Sequence, residues 1–202
     1  MESVSISIVM VVHDQAELLE QNLPQFMAIA DEVNAEVIVV DDMSTDSTPD
    51  VLQQMRSGYK RLYTTFLPQS VVMNPSRLRL ALSIGVKAAK GDYIVISDIS
   101  RPALSAGWLT GMADGEAVLV FSKPKGNMVT HVVTSDLDDF RSIILKAERK
   151  SGKGHRGQWK KKRRGLYDAV SVRREHAFEL VQLFDRSVGF WQLLGLRLRT
   201  WL

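Results

Sequence analysis

Asp41 and Asp42 stand at the end of an unbroken apolar run, residues 37–40, and open the polar stretch Met43-Ser44-Thr45-Asp46-Ser47-Thr48. Four β-branched residues in succession read as a strand buried on both faces, the pattern of a parallel sheet. Carboxylates at the carboxyl end of such a strand sit where open α/β sheets bind ligands. The plainer alternative is that the two aspartates cap or solvate a turn. Two further loops have the same form. His13-Asp14-Gln15 follows the apolar run 5–12, and Ser97-Asp98-Ile99-Ser100-Arg101-Pro102 follows residues 93–96. If their strands lie side by side, three polar loops converge on one sheet edge and form a candidate ligand site.

The segments between these loops must supply the elements that position them. Residues 16–30 carry Leu18, Leu19, Leu23, Phe26, Met27 and Ala30 at helical spacing. Pro24 is placed to kink or divide that helix. Ser44, Thr45, Asp46 and Ser47 offer N-caps to a helix over 49–55, with Pro49 tolerated in its first turn. Residues 59–66 read as a third strand. Residues 77–90 form a helix whose Leu78, Leu82, Ile84, Gly85, Ala88 and Ala89 face the sheet, and 93–96 a buried strand after Gly91-Asp92. A short helix over 108–112 and a strand over 116–121 follow, and beyond Lys123 the pattern loosens. Residues 136–150 form an amphipathic helix, 151–157 a loop by composition, 167–172 a strand and 174–184 a helix. The alternation through residue 121 predicts an α/β fold, a mostly parallel, doubly wound sheet flanked by helices with a short helical C-terminal part.

The 202 residues suffice for one well-buried domain, and 45% apolar with 24% charged residues is an ordinary globular composition. The absence of cysteine excludes a disulfide scaffold, thiolate metal sites and a cysteine nucleophile. No basic leader with a cleavage site is evident at the start, and no apolar run reaches the ~18 to 20 residues of a membrane span. A cytoplasmic location follows as the expectation. His13, His131, His155 and His176 lack metal-ligand spacing, and neither a Walker A loop nor a dinucleotide-binding glycine turn is present.

Net charge is +3, unevenly spread. Residues 150–164 contain Lys150, Lys153, Arg156, Lys160, Lys161, Lys162, Arg163 and Arg164 without one acidic residue, so the chain before them is net acidic. Besides a solvated loop, the partner this stretch suits is an acidic membrane surface, held by Lys160, Lys161, Lys162, Arg163 and Arg164 at the inner face of the membrane. Nucleic acid is disfavoured because no recognised module accompanies the charge. Residues 190–202, with Phe190, Trp191, Leu194, Leu198, Trp201 and Leu202 near one helical face, suit either that interface or the domain's own core.

Taken together, these motifs resemble the family-two glycosyltransferases, whose fold is the GT-A nucleotide-sugar-binding type. Residues 7–23 resemble that family's opening strand and helix. EVIVVDDMSTDST resembles its second strand, usually written with Asp-Asp-Gly-Ser-Thr-Asp, and ALSIGVKAAKGDYIVIS the helix and strand leading to its metal-binding loop. The likeness covers about the first 120 residues, with Pro102, Trp108 and Leu109 at familiar places, and weakens in the remainder. It implies a nucleotide-sugar-binding core over 1–122 and, within the same domain, a shortened acceptor-side region over 123–202. It also implies transfer of a sugar from a nucleotide-sugar to a glycan or lipid acceptor, with Mg²⁺ or Mn²⁺ as the family's usual cofactor.

Residue by residue, the resemblance assigns nucleotide binding to His13, Asp14, Asp41, Asp42, Asp98 and Arg101. His13 stands where an aromatic ring, usually tyrosine, stacks on the base. Asp41 is the first choice for the carboxylate that reads the base, Asp42 the second. Two departures matter. The family's Asp-x-Asp metal loop falls, counting back from Pro102, on Ser97 and Ile99; a one-residue shift recruits Asp98, whose partner is then Ser100. No Glu-Asp pair stands where inverting members keep their general base, so no catalytic residue is assigned. A catalytically inactive nucleotide-binding or partner protein on the same scaffold is the alternative.

Overall fold

A computed structural model describes residues 5–67, 76–100, 103, 105–111, 117–122, 129–134 and 169–183. In chain order the elements are β1 (Ile6–Val12), α1 (Ala16–Glu32), β2 (Glu36–Asp41), α2 (Thr48–Gly58), β3 (Leu62–Phe66), α3 (Ser76–Ala88) and β4 (Tyr93–Ser97). After these come α4 (Ala106–Gly111), β5 (Ala117–Ser122), β6 (Val129–Thr134), β7 (Ala169–Arg173) and α5 (Arg174–Leu183).

The described strands join one 7-stranded sheet in the order β3-β2-β1-β4-β7-β5-β6. The half β3-β2-β1-β4 is parallel, and β7, β5 and β6 complete it in antiparallel pairings. Strand β1 has β2 on one side and β4 on the other. The chain therefore winds outward from β1 in both directions, and the carboxyl end of β1 is the switch point at which open α/β sheets hold ligands.

The apolar runs are continuous because both sheet faces are covered. Ile8, Met10, Val37 and Val39 pack against Leu19, Leu23, Phe26 and Met27 of α1 and Val51 and Leu52 of α2. The alternate residues Val9, Ile38, Val40, Ile94 and Ile96 meet Ala81, Leu82 and Val86 of α3 and Ala177 and Val181 of α5. Gly85 lets α3 approach the sheet closely: a Cβ there would collide with the Val9 side chain and meet Val40 Cγ2 at 3.3 Å.

Several expectations change. Pro24 neither divides nor ends α1, which runs unbroken through it. Leu23, Phe26 and Met27, fully or almost fully buried on either side of it, hold both halves to the sheet. Along α3 and just past its end, Ala81, Leu82, Gly85, Val86 and Ala89 are buried and Leu78 and Ile84 pack against the same core as expected, while Ala88 is exposed. Strand β6 was not anticipated, although the Lys-Pro-Lys-Gly-Asn stretch before Val129 is turn chemistry leading into an apolar and threonine-rich run. Strand β7 was anticipated, but not its insertion between β4 and β5. Helix 136–150, the basic stretch and residues 190–202 lie outside the described residues, and no described helix is long and apolar enough to cross a membrane.

Candidate functional site

The carboxyl ends of β1 and β2 are adjacent, with Val12 in register with Asp41. Asp42 N donates to Val12 O at 2.8 Å, so the two strands stay paired one residue past the end of β2. Beyond that point both chains turn sharply. Asp14 (φ 48°) and Met43 (φ 57°) adopt left-handed backbone, which aspartate tolerates and which costs a methionine roughly 1–2 kcal/mol. Met43 occupies the place written as glycine in the motif that this stretch resembles. Its half-buried side chain packs against the α3 side of the core, which offsets part of that cost.

Side chains then stitch the two loops together. Asp14 Oδ1 accepts from Thr45 N at 2.6 Å and Asp46 N at 3.3 Å, while Asp14 N donates to Ser44 Oγ at 2.9 Å. Gln15 N donates to Thr48 Oγ1 at 2.9 Å, and Ala16 N to Asp46 Oδ2 at 3.2 Å. Thr48 N donates to Asp46 Oδ1 at 2.9 Å, so this carboxylate serves the first turns of both α1 and α2. Burial pushes the Asp46 carboxyl up, but the bonds from Thr48 and from the Ala16 amide outweigh it and leave the group below the ordinary aspartate value. The sequence offered these polar residues as caps for α2. Asp46 does bond the first amide of α2, but it and Thr48 also reach across to the neighbouring loop, and Ser47 makes no side-chain cap bond.

The two aspartates of the motif diverge, as successive strand residues must. Asp41, 6% exposed, turns to the α1–α2 side, where its Oδ1 accepts from Ser44 N at 3.0 Å and Ser44 Oγ at 2.6 Å. Its Oδ2 takes no hydrogen bond among the described residues. Asp42 turns to α3 and pairs with Arg77, whose Nη2 and Nε lie 2.6 and 3.2 Å from Oδ1, both side chains being only 2% exposed. That ion pair ties the first turn of α3 to the end of β2. Removal of one partner would leave a buried charge, a loss of about 3–5 kcal/mol. Nothing in the sequence spacing reveals this partner, which only the packing of α3 on β2 supplies.

His13 donates from Nδ1 to Asp42 O at 2.7 Å, and its Nε2 lies 3.5 Å from Asp14 Oδ2. The Nδ1 bond lies in the ring plane and does not use the ring faces. On the other side of β1, Asp98 follows directly on β4 and is 4% exposed, and Ser100 N donates to its Oδ1 at 2.9 Å. Ile99 points into the α1-side core with no exposure, and its carbonyl accepts from Asn22 Nδ2 at 2.9 Å. Ser97, Asp98 and Ile99 are all buried, and Ser100 is exposed. Arg101 lies outside the described residues. No three or more His, Cys, Asp or Glu residues are grouped to hold a metal ion among the described residues. Asp98 alone does not fit an all-protein cage for Mg²⁺ or Mn²⁺, which take hard oxygen ligands in number, and no step is derived through a metal.

Residues 7–99 match the family model described as Glycosyl transferase family 2. Among curated proteins, an uncharacterized protein of Mycobacterium tuberculosis, Rv1520, is 31% identical over 93 residues, covering 46% of this chain and 26% of that protein. An uncharacterized protein of Mycobacterium bovis, Mb1547, matches at the same identity and coverage. The chain thus spans about a quarter of the length of these curated relatives. Among solved structures, a mannosyltransferase from Pyrobaculum calidifontis in complex with GDP-Man and Mn²⁺ aligns at a TM-score of 0.53. The alignment covers 87% of this chain and 46% of that one, and at 20% identity the likeness concerns the fold.

Proposed function

We propose, from the premise that residues 7–99 form a family-two glycosyltransferase-like domain, that the carboxyl edge of β1, β2 and β4 binds the nucleotide of a nucleotide-sugar. The observation that carries this reading is the state of Asp41. The residue is almost buried and fixed by Ser44 through one oxygen, while the other takes no hydrogen bond among the described residues at the carboxyl end of β2. A carboxylate so held suits the imino N–H of uracil. His13 and the Asp42–Arg77 pair frame the same edge, and Asp98 faces it across β1. As an enzyme, the protein would pass the sugar to a glycan or lipid acceptor by direct displacement.

The test is calorimetric titration of the chain with UDP, GDP and ADP. Binding of UDP is the expected result, and Asp41→Asn should weaken it by about 1–3 kcal/mol, because the amide presents a donor where the base needs an acceptor. If none of the nucleotides binds at millimolar concentration or raises the melting temperature, the reading fails.

A second reading, a nucleotide-binding or partner protein without turnover, is favoured by one specific observation. Ile99 is buried in the core and Ser100 offers a hydroxyl, so the third loop presents a single carboxylate. Nucleotide binding without donor hydrolysis or transfer, across a panel of sugar nucleotides with Mn²⁺ or Mg²⁺, would select it.

A further inference from the structure

Among the described residues four large apolar side chains are exposed, and Phe66 is the most so, at 70%. A single exposed apolar residue is ordinary and needs no explanation. Phe66 is set apart by its register. It is the last residue of the edge strand β3 and the direct partner of Asp41 in the parallel β2–β3 ladder, where Leu67 N donates to Asp41 O at 2.9 Å. Register partners on adjacent strands lie about 4.8 Å apart and present their side chains to the same sheet face. The pattern along β3 agrees, since Leu62, on the same face as Phe66, joins the α1–α2 core together with its partner Val37. Tyr63, the other exposed aromatic of β3, lies beneath the Lys90 ammonium at 5.3 Å. Phe66 makes no such ring contact among the described residues.

An exposed phenyl ring beside a nearly buried carboxylate oxygen is the pair of groups that a planar heterocycle with an N–H edge requires. The ring offers a face and the oxygen an acceptor. We infer that Phe66 is the stacking platform for the base of the bound nucleotide, with Asp41 Oδ2 accepting from the base edge. His13 then serves chiefly to tie the β1 loop to Asp42 O. The inference rests on the nucleotide-binding reading above and adds to it a specificity-determining residue from β3.

The experiment compares the full chain with Phe66→Ala and Phe66→Tyr by calorimetry against UMP and UDP. Loss of a base-stacking ring should weaken binding at least about fivefold in Phe66→Ala, by the same factor for both ligands because the ring touches only the base. Phe66→Tyr should restore it. The melting temperature should be nearly unchanged, since the ring is mostly exposed. Unaltered affinity in Phe66→Ala, or a loss that Phe66→Tyr does not restore, overturns the assignment while leaving the nucleotide reading in place. Failure of the wild-type chain to bind either nucleotide overturns both.

Discussion

Each acidic residue at the sheet edge is set apart by what its oxygens already hold. Asp14 and Asp46 are committed to backbone amides of the two loops, Asp42 to Arg77, and Asp41 to Ser44 through one oxygen only. A substitution at Asp46 should therefore act on the fold rather than on a ligand. Its carboxyl lies below the ordinary aspartate value in the folded chain, so its stabilisation is complete above the unfolded pKa and fades as pH falls through the folded one. Asp46→Asn should be less stable than wild type at pH 7, by less than the ~0.5–2 kcal/mol typical of a lost helix cap. Its disadvantage should shrink below about pH 4. Urea melts of both proteins from pH 7 to pH 3 measure this, and a difference independent of pH would contradict it.

At the level of elements, the site depends on how closely α3 lies against the sheet. Arg77 reaches Asp42 only because the first turn of α3 sits over the end of β2, and Gly85 makes that approach feasible. A methyl group at Gly85 would overlap the branched, fully buried Val9, which cannot swing aside as a flexible side chain would. Gly85→Ala should thus destabilise the domain by about 1–3 kcal/mol despite alanine's better helix propensity. The strain should also loosen the Asp42–Arg77 pair. Thermal and denaturant melts give the first effect. A stability equal to or above wild type would show that α3 can shift away from β1 at little cost.

For the whole molecule, the carboxylates bear on catalysis and metal dependence. A diphosphate carries adjacent negative charges, and the third loop supplies one carboxylate with a serine beyond it, so a divalent ion has little protein to hold it. UDP affinity measured with Mn²⁺ and with EDTA should differ by less than about tenfold. Turnover of residues 1–202 is expected to be weak, since the resemblance places no Glu-Asp pair in them as general base, a role typically worth about a hundred- to ten-thousand-fold in rate. Robust Mn²⁺-dependent transfer abolished by Asp98→Ala would show that Asp98 suffices to position the ion and would reverse the conclusion.

Much of this was legible in the sequence. Continuous β-branched runs specified strands buried on both faces, helical spacing specified the covering helices, and three of the four parallel strands, β1, β2 and β4, ended in polar loops, so the residues that gather at that edge, Asp41, Asp42, His13 and Asp98, were legible in local pattern. These are short-range properties, set by side-chain period and backbone propensity. What tertiary structure alone decided is how each polar atom is used. The partner of Asp42 lies on α3, thirty-five residues away. Thr48 and Asp46 serve the opposite loop, α1 stays whole at Pro24 under packing from both sides, and β7 inserts antiparallel between β4 and β5. In the sequence Phe66 is only the last residue of a third strand, because a phenylalanine at a strand end has no meaning until its register neighbour is known. Periodicity shows which face a residue takes; which group meets it there depends on long-range packing that no local pattern encodes.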